Sequence, residues 1–305
     1  MGDLIKPPRL RPGATVGVAA ISGPPDPARL DIGLARLRSL GYGVHEASNL
    51  RVIHGLFAGT DVQRAGAYRE LLTDPSIEAI LFARGGYGAA RVLPHLDASE
   101  IAANPKPHLG GSDLTALFAL FARIPAAAFY GPMVAVEMAE PEELDWTRVL
   151  AGEVPPPHDF RPADVLRPGR GTGPVVGGCL SLAASLCGTS EAISGAGKLF
   201  FWEDIGEENY RLDRMLTQLE RSGTFDGTHG MIIGSVVSRD RTEPADDTRE
   251  YLRDRFRDAP FPVAFGLPAG HCRGPRTLPL HVRAELDLES SPPRLTFPEG
   301  AVARA

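Results

Sequence analysis

The chain predicts an α/β protein: a doubly wound parallel sheet in its first half, joined to a smaller, strand-rich α/β second half. Three observations carry this expectation. Between residues 15 and 130, short apolar runs alternate with stretches of helical periodicity, the pattern of strands joined by crossover helices. The run at 77–83 is almost wholly apolar, as expected of a strand inside a parallel sheet. A stretch rich in Pro, Gly and Arg at 152–174, opening on Pro155-Pro156-Pro157, then interrupts the alternation. Residues 1–150 are therefore read as the N-terminal domain, 151–174 as a linker and 175–305 as the C-terminal domain.

Taken in order, residues 15–21 read as a buried strand. Lys6, Arg9 and Arg11 precede it and mimic a secretory leader. The apolar run is short, contains Gly17 and follows Pro12-Gly13, which favours a first strand and a cytoplasmic protein. Leu30, Leu34, Leu37 and Leu40 give a helix over 27–40, stopped by Gly41. A strand at 43–47, a helix at 61–72 and the strand at 77–83 follow, then the breaker Arg84-Gly85-Gly86-Tyr87-Gly88. Residues 89–96 read as a helix and 107–110 as a short strand. Leu114, Leu117, Phe118 and Phe121 mark a helix beginning after Ser112, and 126–130 is one more strand. In such a sheet, ligands bind outside the carboxyl ends of the strands, so the loops at 22–24, 84–88, 110–113 and 131–133 should gather into one site.

The second half reads as a strand at 175–178, a helix at 180–186 and an apolar strand at 198–202 that delivers Glu203-Asp204. A helix at 210–219 follows, then strands at 229–237 and 262–266 around a charged helix at 247–257. Residues 278–288 and 294–297 alternate like a hairpin.

Composition removes several classes of function. Over 305 residues the chain is 43% apolar and 23% charged, ordinary for a globular protein. A net charge of −6 without a basic block argues against nucleic-acid and anionic-membrane partners. No run approaches the ~20 apolar residues of a membrane span. Cys179, Cys187 and Cys272 are odd in number and form no C-x-x-C pair, so a reducing compartment and no metal site are expected. No cofactor is implied.

The stretch His108-Leu109-Gly110-Gly111-Ser112-Asp113-Leu114 puts a hydroxyl on a glycine turn at a helix start, where free N–H groups favour a developing oxyanion. Ser112 or Asp113 could equally be an N-cap. The esterase elbow G-x-S-x-G is not met, because Leu114 stands at its last glycine. A serine nucleophile needs a base, normally histidine. Of the eight histidines, His45, His54 and His158 lie in polar or proline-rich surroundings. His95 and His281 fall in regular elements, and His108 sits on the strand before the turn. His271 ends the shaped loop Gly266-Leu267-Pro268-Ala269-Gly270-His271, a setting that suits a base. Glu203 or Asp204, at a strand end, would orient it. The glycines of 84–88 could cradle a phosphate or supply an oxyanion donor. G-x-G-x-x-G and G-K-[ST] are both missing, which weakens a non-catalytic nucleotide-binding module.

Side by side, these stretches resemble the LD-carboxypeptidase family of serine peptidases. The matching blocks include Lys6-Pro7-Pro8-Arg9-Leu10-Arg11-Pro12-Gly13, Arg84-Gly85-Gly86-Tyr87-Gly88, Gly111-Ser112-Asp113-Leu114-Thr115 and Gly177-Gly178-Cys179-Leu180-Ser181. Trp202-Glu203-Asp204-Ile205-Gly206-Glu207, Tyr210-Arg211-Leu212-Asp213-Arg214 and the loop ending at His271 continue in family order. The resemblance implies a flavodoxin-like N-terminal domain and a smaller β-rich C-terminal domain, with the site between them in a homodimer. It implies Ser112 as nucleophile, His271 as base and Glu203 as its partner. The oxyanion hole would be the N–H groups of Asp113 and of the Gly85-Gly86 loop, Gly86 foremost. Arg84 is read as holding the substrate carboxylate through a bidentate pair, with Gly85 and Tyr87 beside it. The implied substrate is a muropeptide tetrapeptide, cut without a metal to release terminal D-alanine. Gly111 stands where the family often has an aromatic residue, and Cys179 where asparagine is usual; both bear on substrate choice. A related branch, the microcin C immunity peptidases, cleaves a peptide–nucleotide conjugate.

Overall fold

Strands apolar on both faces pair in parallel at the centre of the N-terminal half. The computed structural model describes residues 4–237 and 246–303. There β1 (Thr15–Ala19), β2 (Gly43–Glu46), β3 (Ile77–Phe82), β4 (His108–Gly110) and β5 (Ala128–Tyr130) lie in the order β2-β1-β3-β4-β5. This is the flavodoxin-like order, whose crossovers reverse between β1 and β3 and leave a crevice at their carboxyl ends. β1, β3, β4 and β5 are buried almost throughout, whereas β2, at the edge, is half exposed.

Six helices serve this half: α1 (Pro27–Ser39), α2 (Asp61–Thr73), α3 (Ala89–Val92), α4 (Ala98–Ala103), α5 (Thr115–Arg123) and α6 (Trp146–Leu150). Local chemistry sets their starts. Asp26 caps α1 by accepting the Arg29 N–H at 2.9 Å, and Thr60 with Gln63 forms a reciprocal capping box on α2. The helix expected over 89–96 is a single α-turn running into a 3-10 turn at Leu93–His95, because Pro94 cannot donate to the helical ladder. Every residue of α5 from Thr115 to Phe121 is buried, since it packs against the second half of the chain as well as the first.

The second half contributes β6 (His158–Asp159), β7 (Val165–Arg167), β8 (Arg170–Cys179), α7 (Leu180–Ser185), β9 (Leu199–Ile205), α8 (Asn209–Arg221) and β10 (Gly230–Val237). It continues with α9 (Asp246–Arg255), β11 (Val263–Phe265), β12 (Leu278–Leu280), β13 (Arg283–Asp287) and β14 (Arg294–Thr296). Eight strands form its sheet in the order β6-β14-β13-β8-β9-β10-β11-β7. β8 to β11 run parallel and the flanking strands are antiparallel.

Two stretches differ from expectation. The 151–174 segment, read as a linker, supplies β6, β7 and the first half of β8; its glycines let backbone pass close. A Cβ at Gly173 would lie 2.9 Å from Lys198 Cα. The 278–288 run does not pair as one arm of a hairpin. Leu278–Leu280 runs antiparallel to β5 in the first sheet, and only Arg283–Asp287 pairs with β14. The chain changes sheets at His281, a left-handed residue with φ of 65°, whose N–H donates to the Val175 carbonyl at 2.7 Å.

Candidate active site

The carboxyl ends of β4, β5 and β9 and the loop after β11 meet at the seam between the two halves. Ser112 stands one residue beyond Gly111, just past β4, at φ of 57°, a left-handed conformation costly for a residue with a Cβ. Its side chain caps no helix, so it is not the N-cap that sequence alone allowed. The Ser112 carbonyl accepts from Thr115 Oγ1 at 2.7 Å, and Thr115 Oγ1 accepts from the Cys179 N–H at 2.9 Å. The second half is thus tied to the turn through one hydroxyl.

Gly85 lies against this turn. A Cβ on it would meet Ser112 Cβ at 2.8 Å, and the Asp113 nitrogen and Ser112 Oγ at 3.1 Å each. Gly86, at φ of 103°, follows in a conformation that glycine tolerates. The Asp113 carboxylate is buried, and Oδ2 accepts from Ser22 Oγ at 2.6 Å and from the Ala89 N–H at 2.7 Å. One carboxylate oxygen therefore fastens the loops after β1 and β3 to the turn after β4. The Arg84 guanidinium reaches the carbonyls of Gly85 and Pro24, and Tyr87 is exposed, its ring 5.7 Å from that of Phe57.

Glu203, within β9 and two residues from its carboxyl end, is fully buried. Its Oε2 accepts from His271 Nδ1 at 2.7 Å and from the His271 backbone N–H at 3.0 Å. Its Oε1 accepts from the Tyr130 hydroxyl at 2.6 Å, and the Tyr130 oxygen accepts the Ser112 N–H at 2.8 Å. A continuous path of hydrogen bonds therefore runs from the Ser112 backbone through Tyr130 and Glu203 to His271. Among the described residues, the Ser112 hydroxyl makes no hydrogen bond to the His271 ring, a contact that apo sites often close only with substrate.

Burial works against a charged imidazole at 271. The charge and hydrogen bond of Glu203 outweigh it, aided by Glu137 and Asp204, and raise its pKa to about 9. Asp204, the alternative orienting acid, points elsewhere: it accepts the Ser181 and Ile205 N–H groups at 2.8 Å each. Burial and the Glu203 charge lift it to about 6. Burial also pushes the Cys272 thiol up to about 12. His108 and His281 are core residues, each lowered to about 4 by burial and hydrogen-bonded to Tyr68 and to the Phe118 carbonyl, respectively.

Two groups at the site escape sequence reasoning. Tyr130 reads as the last apolar residue of a strand, although its place before Gly131, at a carboxyl end, was the available signal. Glu137 carries no motif; its Oε2 accepts the Met133 N–H at 2.8 Å, and burial raises its carboxyl. It lines a cavity of about 350 Å³ with Arg29, Glu140, Glu142, Cys272 and Arg273, one residue from the imidazole. Among the described residues, no cluster of His, Cys, Asp and Glu is placed to hold a metal ion.

Ser112, joined through Tyr130 to the Glu203–His271 pair, thus stands at the seam of two α/β halves. Residues 16–131 match the LD-carboxypeptidase N-terminal domain and residues 172–286 the LD-carboxypeptidase C-terminal domain. A Streptomyces coelicolor relative with a provisional carboxypeptidase name is 40% identical, over 95% of this chain and 96% of its own. The murein tetrapeptide carboxypeptidase of Pseudomonas aeruginosa is 29% identical, over 89% of this chain and 93% of its own. Among solved structures, the muramoyltetrapeptide carboxypeptidase of Oxalobacter formigenes superposes with a TM-score of 0.81 at 26% identity, covering 95% of this chain and all of that one. The chain belongs to the LD-carboxypeptidase family, a family of peptidases.

Proposed function

We propose that the protein is a serine-type LD-carboxypeptidase that releases terminal D-alanine from muropeptide tetrapeptides. The observation that carries this reading is the Glu203–His271 pair at 2.7 Å, joined through Tyr130 to a serine held at φ of 57°. The murein and muramoyltetrapeptide names of two relatives supply the substrate class.

Glu203 fixes the proton on Nδ1, which leaves Nε2 as the basic nitrogen. In this mechanism Nε2 takes the Ser112 proton as Oγ attacks the carbonyl that joins the L-centred residue to D-alanine. The oxyanion is held by the N–H groups of Asp113 and of the Gly85-Gly86 loop. Imidazolium then protonates the departing amine, and water hydrolyses the ester left on Ser112. Arg84 is assigned to the substrate's terminal carboxylate, with Tyr87 on the same rim. The reading places the reaction in the cytoplasm, on recycled cell-wall peptide, and the enzyme in a homodimer.

Purified Ser112→Ala protein tests the reading. D-alanine release from tetrapeptide should fall ~10⁴–10⁶-fold, and near-normal release would sink it. The microcin C7 self-immunity protein MccF of Escherichia coli is 26% identical over 76% of this chain, so an aminoacyl-nucleotide conjugate, the substrate implied for that branch, belongs in the same assay. Preference for the conjugate would move the enzyme to that branch.

A further inference from the structure

We propose that Tyr130 is a positioning residue for this reaction, locking the Ser112 turn and the Glu203 carboxylate to one another through its single hydroxyl. The inference rests on the roles assigned above to Ser112, Glu203 and His271.

The direction of each hydrogen bond is forced. A backbone N–H only donates and an ionised carboxylate only accepts. The Tyr130 oxygen therefore takes the Ser112 N–H at 2.8 Å and gives its one proton to Glu203 Oε1 at 2.6 Å. Nothing in this pair of bonds can be reversed without losing one of them. The ring is fully buried and wedged edge-on between Phe118 at 6.4 Å and Phe201 at 5.4 Å, so the hydroxyl has no route to water. Burial first, then the Glu203 charge, keep the phenol protonated and hence a donor.

Four consequences follow for the reaction. The left-handed Ser112 has its N–H fixed by an acceptor, which holds a backbone conformation that side chains disfavour. With Oε1 occupied, Oε2 alone receives both His271 donors, and this sets the imidazole plane. With the Ser112 N–H occupied, the oxyanion must be met by Asp113 and the glycine loop. Tyr130 is on β5 and Glu203 on β9, so the hydroxyl also sets the spacing of the two halves where the reaction takes place.

Tyr130→Phe removes the hydroxyl and keeps the ring. kcat should fall about 10- to 100-fold, the scale of a lost charge-assisted hydrogen bond, with KM changed less than about twofold. The pH profile separates positioning from packing. His271 faces Glu203 and Asp204 from β9, Glu137 from the turn after β5, and its own neighbour Cys272. Of these, Glu203 alone loses a donor in the variant. Its charge is then less shared, it favours the imidazolium more, and the acid limb of kcat/KM moves to higher pH. A fluorinated tyrosine at 130, a stronger donor of the same shape, should move the limb to lower pH, and it carries the test if the Phe variant does not fold. An unmoved limb in the folded variants, or unchanged kcat in Tyr130→Phe, overturns the proposal. Ser112→Ala assayed alongside separates the two failures. Retained activity there overturns the functional reading and this one together. An inactive Ser112→Ala beside a fully active Tyr130→Phe overturns only the role of Tyr130.

Discussion

One oxygen of Glu203 holds His271 by two handles, its backbone N–H at 3.0 Å and its ring Nδ1 at 2.7 Å. The loop and the imidazole are thereby oriented by the same atom, and rotation of the ring costs a charge-assisted hydrogen bond.

Because the His271 pKa is raised to about 9, the free enzyme holds an imidazolium at neutral pH, and kcat/KM should climb with pH until about 9. Glu203→Gln should bring that limb down, since burial then acts with less opposition. The sign for stability is the reverse of that for activity. A raised histidine pKa stabilises the fold fully below its ordinary 6.5, and this contribution is lost as pH rises through about 9. A rate profile and urea melts across this window check both halves; a wild-type limb near 6.5 would contradict the first.

Gly85→Ala should cost activity more than folding. Its φ lies outside the left-handed region, so alanine is tolerated by the backbone, but the methyl would sit 2.8 Å from Ser112 Cβ and 3.1 Å from the Asp113 nitrogen. Turnover should drop ~10²-fold or more, as when an oxyanion donor is blocked, with a smaller fall in melting temperature as the Ser112 turn shifts to relieve the contact. Wild-type turnover would place the oxyanion site elsewhere.

Gly270→Ala should damage both. Alanine would have to adopt φ of 97°, and its Cβ would lie 2.5 Å from the Glu203 carboxyl carbon. Backbone strain of about 1–2 kcal/mol and displacement of the orienting carboxylate should appear together, as a lower melting temperature and lost peptidase rate.

Asp113→Ala strands Ser22 Oγ and the Ala89 N–H in the interior. Two buried donors without acceptors should cost about 2–6 kcal/mol in denaturant unfolding. A change below ~0.5 kcal/mol would mean that the loops after β1 and β3 are held by other contacts.

Much of this was legible in the sequence, for reasons that also explain the rest. β1, β3 and β5 announce themselves because apolar runs bounded by Gly and Pro have few other places in a fold. Ser112 follows Gly111 just past β4, His271 follows Gly270 in the loop after β11, and Glu203 lies near the carboxyl end of β9, the side of a parallel sheet where ligands bind; the structure joins Glu203 to His271 directly and to Ser112 through Tyr130. Tyr130 was not legible: its importance lies in which carboxylate meets its hydroxyl, a contact across 73 residues that periodicity does not encode. The 151–174 stretch misleads because proline and glycine mark edge strands and close-packed backbone as well as linkers. The break at His281 is hidden for a similar reason, since alternation shows that residues pair but not with which sheet.

β12 leaves the half that supplies His271 and closes the outer edge of β5, pairing Leu278 with Tyr130. Separating the two family-matched halves at their boundary would strip that cover from the N-terminal piece. An unpaired strand would then be open to any neighbouring chain, so the two halves should survive expression together and clump when made apart.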